Sequence, residues 1–307
     1  MLLAVLAVIL WMGQSQAAGP EASFDDNLVV IISDLHINPE GYQPERCERI
    51  IHEILAMRPL PRNVLALGDI AYLCGKVEEY VRARQILEPL EKAGITLTMA
   101  MGNHDRRDNF ALIFPEHAAK TLLPGFYVNV VSTPRADFVL MDSLQESPNP
   151  EKWITPGSID EKQKNWLKEF LKDHTDKPLF VLSHHSYSET GLKELLIKTP
   201  NCCGYIYGHE HVWKPGWTHH KYKDRNILRT LIVPSTGHWG DIGYVKLNLL
   251  EDRAVAELVE LEFFFPKPIK EGEVKPVQWL TIEEENQGAR CTFFYQRTPK
   301  PSLPANN

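Results

Sequence analysis

The chain has 307 residues, 43% hydrophobic and 24% charged, a balance that excludes a wholly disordered protein and is enough to bury a sizeable core. Its 33 basic and 40 acidic residues leave a formal charge of −7, which argues against nucleic acid or an anionic membrane surface as an electrostatically captured partner.

Residues 1–11 are apolar and residues 13–18 small or polar, the form of a short signal peptide over 1–18 with Ser15-Gln16-Ala17 as its processing site. No Lys or Arg precedes the apolar run, so an uncleaved anchor is the competing reading. The run falls short of the ~20 residues that span a bilayer, and no later segment comes closer. The expectation is an exported protein, periplasmic or secreted, with no stable membrane insertion after signal cleavage.

Further on, β-branched runs at residues 28–33, 63–67, 95–100, 178–183 and 203–207 read as buried strands. Between them, Cys47, Ile50, Ile51, Ile54 and Leu55 share one helical face. Tyr80, Ala83, Leu87 and Leu90 make a second such face, and Trp166, Leu167, Phe170 and Leu171 a third. This alternation predicts an α/β fold in which a sheet lies between helices and ligands gather where strands end. Extended stretches at 126–131, 138–141, 217–223, 227–233 and 244–249 predict a second, more antiparallel sheet. The expected catalytic domain covers 24–262, and residues 263–307 read as a Pro-rich, partly disordered extension without chemistry.

Five cysteines, Cys47, Cys74, Cys202, Cys203 and Cys291, lack paired CxxC spacing, which argues against a structural zinc site and leaves room for one or two disulfides. The adjacent Cys202 and Cys203 sit in an apolar stretch and read as core residues.

Five short polar segments follow apolar runs: Asp34-Leu35-His36, Gly68-Asp69, Gly102-Asn103-His104-Asp105, His184-His185 and Gly208-His209-Glu210-His211. A strand leaving a core delivers its terminal side chains to a fixed point, which metal ligation and catalysis both require. Residues two apart in an extended chain project to the same side, so Asp34 and His36 are expected to grip one cation, and His209 with His211 to repeat the device. Taken singly, each segment is an ordinary polar turn. Together their oxygen and nitrogen donors suit two divalent ions of intermediate softness, Mn, Fe or Zn, better than calcium with its all-oxygen shell.

In these blocks the chain resembles the calcineurin-like metallophosphoesterases, whose motifs are DxH, GD, GNH, H and GHxH. The text between the blocks, including GDIA, FVLMDS, LSHH and IVPSTG, is similar to their class III cyclic nucleotide phosphodiesterase and glycerophosphodiesterase branch. The resemblance implies a four-layer α/β/β/α sandwich with two mixed β-sheets flanked by helices. It implies Asp34, His36 and His211 as ligands of one metal, Asn103, His184 and His209 as ligands of the other, and Asp69 as the bridge. The implied reaction is hydrolysis of a small-molecule phosphate ester, a phosphodiester above all, by a hydroxide shared between two divalent ions. His104 would then stand at the leaving group as proton donor or phosphate ligand.

One departure bears on specificity. Protein phosphatases of this superfamily carry an Asp three residues after the bridging Asp, which orients the GNH histidine, followed by a phosphate-binding Arg. Tyr72 and Leu73 stand in those places, which disfavours protein phosphatase activity and leaves Tyr72 as a pocket residue. Arg106, His185 and His238 are further candidates for substrate contact, with Arg107 beside the first; a solvated helix start and a plain pocket wall are the bland alternatives. His219 and His220 read as ordinary surface histidines. Two competing functions stay open: a phosphomonoesterase of acid phosphatase or nucleotidase type, and an inactive metal-binding module of the same fold.

Overall fold

The computed structural model describes residues 23–217, 228–264 and 289–295. The expected signal peptide, His219, His220 and most of the expected C-terminal extension lie outside the described residues.

The first half of the chain runs β1 (Phe24–Ile32), α1 (Gln43–Ala56), β2 (Leu60–Ala66), α2 (Val77–Lys92), β3 (Thr96–Met99), α3 (Arg107–Ile113) and α4 (Pro115–Ala118). Next come β4 (Asn129–Ser132), β5 (Asp137–Leu140), α5 (Glu161–Asp173), β6 (Leu179–Ser183), α6 (Tyr187–Thr190), α7 (Lys193–Lys198) and β7 (Cys202–Tyr207). The chain closes with β8 (Lys214–Trp217), β9 (Arg229–Ile232), β10 (Gly240–Leu249), β11 (Arg253–Phe264) and β12 (Arg290–Phe294).

These strands form two mixed six-stranded sheets, ordered β12-β11-β10-β1-β2-β3 and β4-β5-β6-β7-β9-β8. In the first, β1, β2 and β3 are parallel while β10, β11 and β12 run antiparallel. In the second, β5, β6, β7 and β9 are parallel and the outer strands β4 and β8 are antiparallel.

Alternation along the strands sorts side chains into three cores. Val29 and Ile31 of β1 meet Phe138, Leu140, Phe180 and Leu182 between the sheets, whereas Val30 and Ile32 face α1 and α2. Leu167 and Leu171 of α5, with Leu196 and Ile197 of α7, cover Val139, Val181 and Tyr205 on the far side of the second sheet. Two sheets buried on both faces explain why their runs read as continuously apolar rather than alternating, and they give the α/β/β/α order of layers.

Residues 244–249 do not join the middle strands as expected. They lie in β10, which pairs with β1 and packs Val245 and Leu247 between the sheets, because the β10–β11 hairpin covers an otherwise open edge of β1. Residues 290–294, inside the stretch expected to be an extension, form β12, with Cys291 and Phe293 fully buried.

All five cysteines are buried thiols, so none of the disulfides that the composition allows is formed. Cys202 and Cys203 point to opposite faces of β7, one toward the helices and one toward the inter-sheet core, which bears out their reading as core residues. Among the described residues no helix is long and apolar enough to cross a membrane.

Candidate metal centre

The polar segments leave the C-terminal ends of β1, β2, β3, β6 and β7, and a further loop follows β9. Backbone hydrogen bonds lock the first two loops side by side: Asp34 N donates to Gly68 O, His36 N to Asp69 O and Ile37 N to Ile70 O. Asp34, His36, Asp69, His209 and His211 all have positive φ, between 47° and 69°, and they are the non-glycine residues with positive φ among those described. Each such conformation costs roughly 1–3 kcal/mol and persists only where the surroundings over-determine it, which is characteristic of functional sites.

This corrects one element of the sequence reading. Asp34 and His36 do converge, with His36 Nε2 3.9 Å from Asp34 Oδ1, but they do so from a left-handed turn and not from extended backbone. His209 and His211 behave alike. Two glycines of the motifs are there for close approach. A Cβ on Gly102 would overlap Asp69, and one on Gly208 would overlap Ser33 and the carboxylate of Asp34.

Donor atoms converge in overlapping groups. Those of Asp34, His36 and His211 lie within 4.8 Å of one another, as do those of Asp34, Asp69 and His184. Asp34 Oδ1 is 3.1 Å from His211 Nε2, and Asp69 Oδ2 is 3.4 Å from His36 Nε2 and 3.2 Å from His184 Nε2. Asn103 Oδ1 and His209 Nδ1 each approach His184 Nε2 to 3.2 Å.

The backs of the rings settle which nitrogen is available. Nδ1 of His36 donates to Tyr72 O at 3.1 Å, Nδ1 of His184 to Leu67 O at 2.9 Å and Nδ1 of His211 to Trp239 O at 3.1 Å. A carbonyl oxygen only accepts, so each Nδ1 carries the hydrogen and each Nε2 of a neutral ring keeps its lone pair. The Nε2 atoms of His36 and His211 face each other at 3.2 Å, so with both rings neutral they stand lone pair toward lone pair. That arrangement is repulsive by itself and favourable around a cation, so the residues present fit the two metal ions that the motifs imply.

The titration of the site points the same way. Burial would raise the carboxyl groups of Asp34 and Asp69, yet the surrounding histidines outweigh it and hold both below the ordinary range. Burial keeps His36 neutral, lowering it to about 3. At His184 burial is outweighed by Asp69 and Asp34, which push it up to about 9. A proton there does what a cation would do for the same carboxylates.

His104 lies at the edge of the cluster, 5.0 Å ring to ring from His36. Its backbone N donates to Asp69 Oδ1 at 2.8 Å. His238, after β9, lies 4.4 Å ring to ring from His36 at an interplanar angle of 36°, and burial followed by His211 lowers it to about 4. The Tyr72 ring meets His238 edge-on at 5.7 Å. Arg106 and His185 take different places. Arg106 donates to the carbonyls of Ser147, Asn149 and Lys152, and Arg107 pairs with Asp142 and Glu146. His185 Nε2 donates to Thr155 O while Ser143 Oγ occupies its Nδ1. Both candidates hold the 145–157 loop.

Sequence reasoning missed two kinds of residue. Asp105 is buried and accepts from the backbone N of Ile70, Ala71 and Gly102 and from Tyr80 Oη, tying the GD loop to the GNH loop. Its place directly after the GNH motif was the one available signal. Trp153 and Trp239 sit beside His104 and His211, at 4.9 and 4.5 Å, and nothing in their sequence neighbourhood announces it.

Parallel strands from two sheets thus deliver buried Asp and His donors to one point, the arrangement of a metal-dependent hydrolase. The model of the family described as calcineurin-like phosphoesterase matches residues 28–213, more than half of the chain, and the chain belongs to that family. It is 29% identical over 172 residues to a probable cyclic nucleotide phosphodiesterase of Rhodopseudomonas palustris, covering 53% of this chain and 59% of that protein. It is 27% identical over 140 residues to the glycerophosphodiester phosphodiesterase GpdQ of Enterobacter lignolyticus, covering 44% of this chain and 46% of that one. The matched regions thus span about half the length of these curated relatives. A dimetal phosphatase from Danio rerio shares the fold, with a TM-score of 0.58 at 16% identity, covering 75% of this chain and 95% of that one.

Proposed function

We propose that the chain hydrolyses phosphodiesters with two divalent cations of intermediate softness, Mn, Fe or Zn, at this centre. The observation that carries the reading is the position of Asp69, whose Oδ2 reaches the Nε2 atoms of both His36 and His184. On this reading Asp34, His36 and His211 hold one cation, Asn103, His184 and His209 hold the other, and Asp69 serves both. When bound, such a pair would lower the pKa of a water and neutralise the phosphoryl oxygens of the substrate.

The chain's own residues do the rest. The carbonyls behind His36, His184 and His211 fix ring orientation and tautomer, so the donors are preorganised. His104 presents Nε2 at the edge of the cluster and gives a proton to the departing alcohol oxygen, or binds a phosphoryl oxygen as it develops charge. Diester substrates are favoured over phosphoproteins by Tyr72 and Leu73 in place of an orienting Asp and a phosphate-binding Arg. The names of both curated relatives, a probable cyclic nucleotide phosphodiesterase and a glycerophosphodiester phosphodiesterase, support the same choice.

Turnover of bis(p-nitrophenyl) phosphate and p-nitrophenyl phosphate by protein loaded with Mn, Fe or Zn tests the reading. Faster diester turnover is expected. A wide monoester preference overturns the diesterase assignment, and no turnover with any of these metals points to an inactive binding module. The apolar run over residues 1–11 supports export, which N-terminal sequencing of protein recovered outside the cytoplasm tests.

A further inference from the structure

Resting on the diesterase reading, we propose that Trp153 is the wall against which the departing alcohol of the substrate lies, so that the site selects phosphodiesters whose leaving group has a flat aromatic face. Trp153 is 42% exposed, and a single exposed tryptophan is ordinary on a protein surface. Its setting is what matters. The ring packs 4.9 Å from His104 at an interplanar angle of 40°, next to the group proposed to protonate the leaving oxygen.

The loop that carries Trp153 is pinned from several directions. Arg106 Nη1 donates to Ser147 O at 2.6 Å, and its Nη2 to Asn149 O at 2.7 Å and Lys152 O at 2.9 Å. His185 Nε2 donates to Thr155 O at 3.0 Å, and Gln145 Nε2 closes the loop on Pro156 O at 2.7 Å. Lys152, directly before Trp153, is thus held by Arg106, two residues after His104, and Thr155, two residues after Trp153, by His185, directly after His184. These anchors fix a large apolar ring at the mouth of a polar site without burying it. A face held ready in this way loses little conformational freedom when an aromatic group stacks on it.

Trp239 supplies the internal comparison. It is 45% exposed and packs 4.5 Å from His211, at the other end of a series of ring contacts that runs from Trp153 through His104 and His36 to His211. It stands apart from the proposed acid, so it has no part in choosing the leaving group.

The test uses three diesters. Bis(p-nitrophenyl) phosphate and methyl p-nitrophenyl phosphate share an aromatic leaving group and differ in the retained one, while in glycerophosphoethanolamine both groups are saturated. Trp153→Ala is expected to lower kcat/KM about tenfold on both nitrophenyl esters, chiefly through KM, because stacking is present before the chemistry. Glycerophosphoethanolamine turnover and metal content are expected to hold, and Trp153→Phe to restore most of the loss. Trp239→Ala, whatever it does to overall turnover through His211, is expected to leave the ratio of methyl p-nitrophenyl phosphate to glycerophosphoethanolamine turnover within about twofold of wild type. Equal turnover of the nitrophenyl esters by Trp153→Ala and active wild type overturns this inference alone. So does a loss confined to bis(p-nitrophenyl) phosphate, which would put Trp153 on the retained side, or an equal loss on all three esters. A wild-type protein inert on every diester overturns the diesterase reading and this inference with it.

Discussion

His104 donates from Nδ1 to the main-chain carbonyl of Leu73 at 2.8 Å. The residue that takes the place of a phosphate-binding arginine therefore supplies, through its backbone, the orienting acceptor that the motif lacks at Tyr72. A carbonyl behind Nδ1 suits both the neutral ring and the imidazolium that donates from Nε2.

From this geometry, His104→Ala is expected to lower kcat on a diester by about 10²–10⁴-fold, the range of a lost general acid. Metal content measured by elemental analysis is expected to match wild type, since His104 is outside the proposed ligand set. Normal turnover would remove the leaving-group role.

Tyr72→Asp would restore the carboxylate of the protein phosphatases. Because Leu73 O already holds His104, and because the Tyr72 ring faces His238, the ratio of diester to monoester turnover is expected to stay as it is. A shift toward the monoester would show that the carbonyl is an incomplete substitute.

Asp69→Asn is expected to lose most bound metal and most turnover together, because Asp69 Oδ2 lies between the two donor groups. Gly102→Ala reaches the same carboxylate from behind and is expected to cost about 1–3 kcal/mol through overpacking, read by urea denaturation, with activity falling as well. Full metal content in Asp69→Asn would contradict the bridging position.

Tyr80→Phe tests the buried support. Tyr80 Oη donates to Asp105 at 3.0 Å and accepts from Arg106 N at 2.7 Å, so its loss is expected to cost about 1–2 kcal/mol and lower Tm by a few degrees. Asp105→Ala strands the N–H groups of Ile70, Ala71 and Gly102 and is expected to cost more. Equal Tm values for wild type and Asp105→Ala would show that the two loops do not depend on this carboxylate.

Chelation is expected to lower Tm, with recovery on adding Mn or Zn. Ligand at about 100 to 1,000 times its dissociation constant stabilises a folded protein by about 2.7–4.1 kcal/mol. A Tm indifferent to chelator in protein shown to contain metal would mean that the ions add nothing to folding.

Much of this molecule was legible in local chemistry. Apolar β-branched runs marked β1, β2, β3, β6 and β7, because a strand buried on both faces has little choice of residue. The polar segments after them named the donors, because only a few side chains can bind a transition metal. Their convergence depends on parallel strands ending at one edge, which repeating strand and helix patterns already imply.

Other features depended on contacts between residues far apart in the chain. Pairing decided that β10 joins β1 and that residues 290–294 complete the first sheet. Arg106 and His185 have the side chains of ligand-binding residues, and only the loop folded over them showed that Arg106 bonds to backbone carbonyls and His185 to Thr155 O and Ser143 Oγ. The Leu73 carbonyl and the Trp153 ring took their places beside His104 in the same way. Residue type limits which bonds a side chain can make, and the path of the chain determines which partner is near enough to make them.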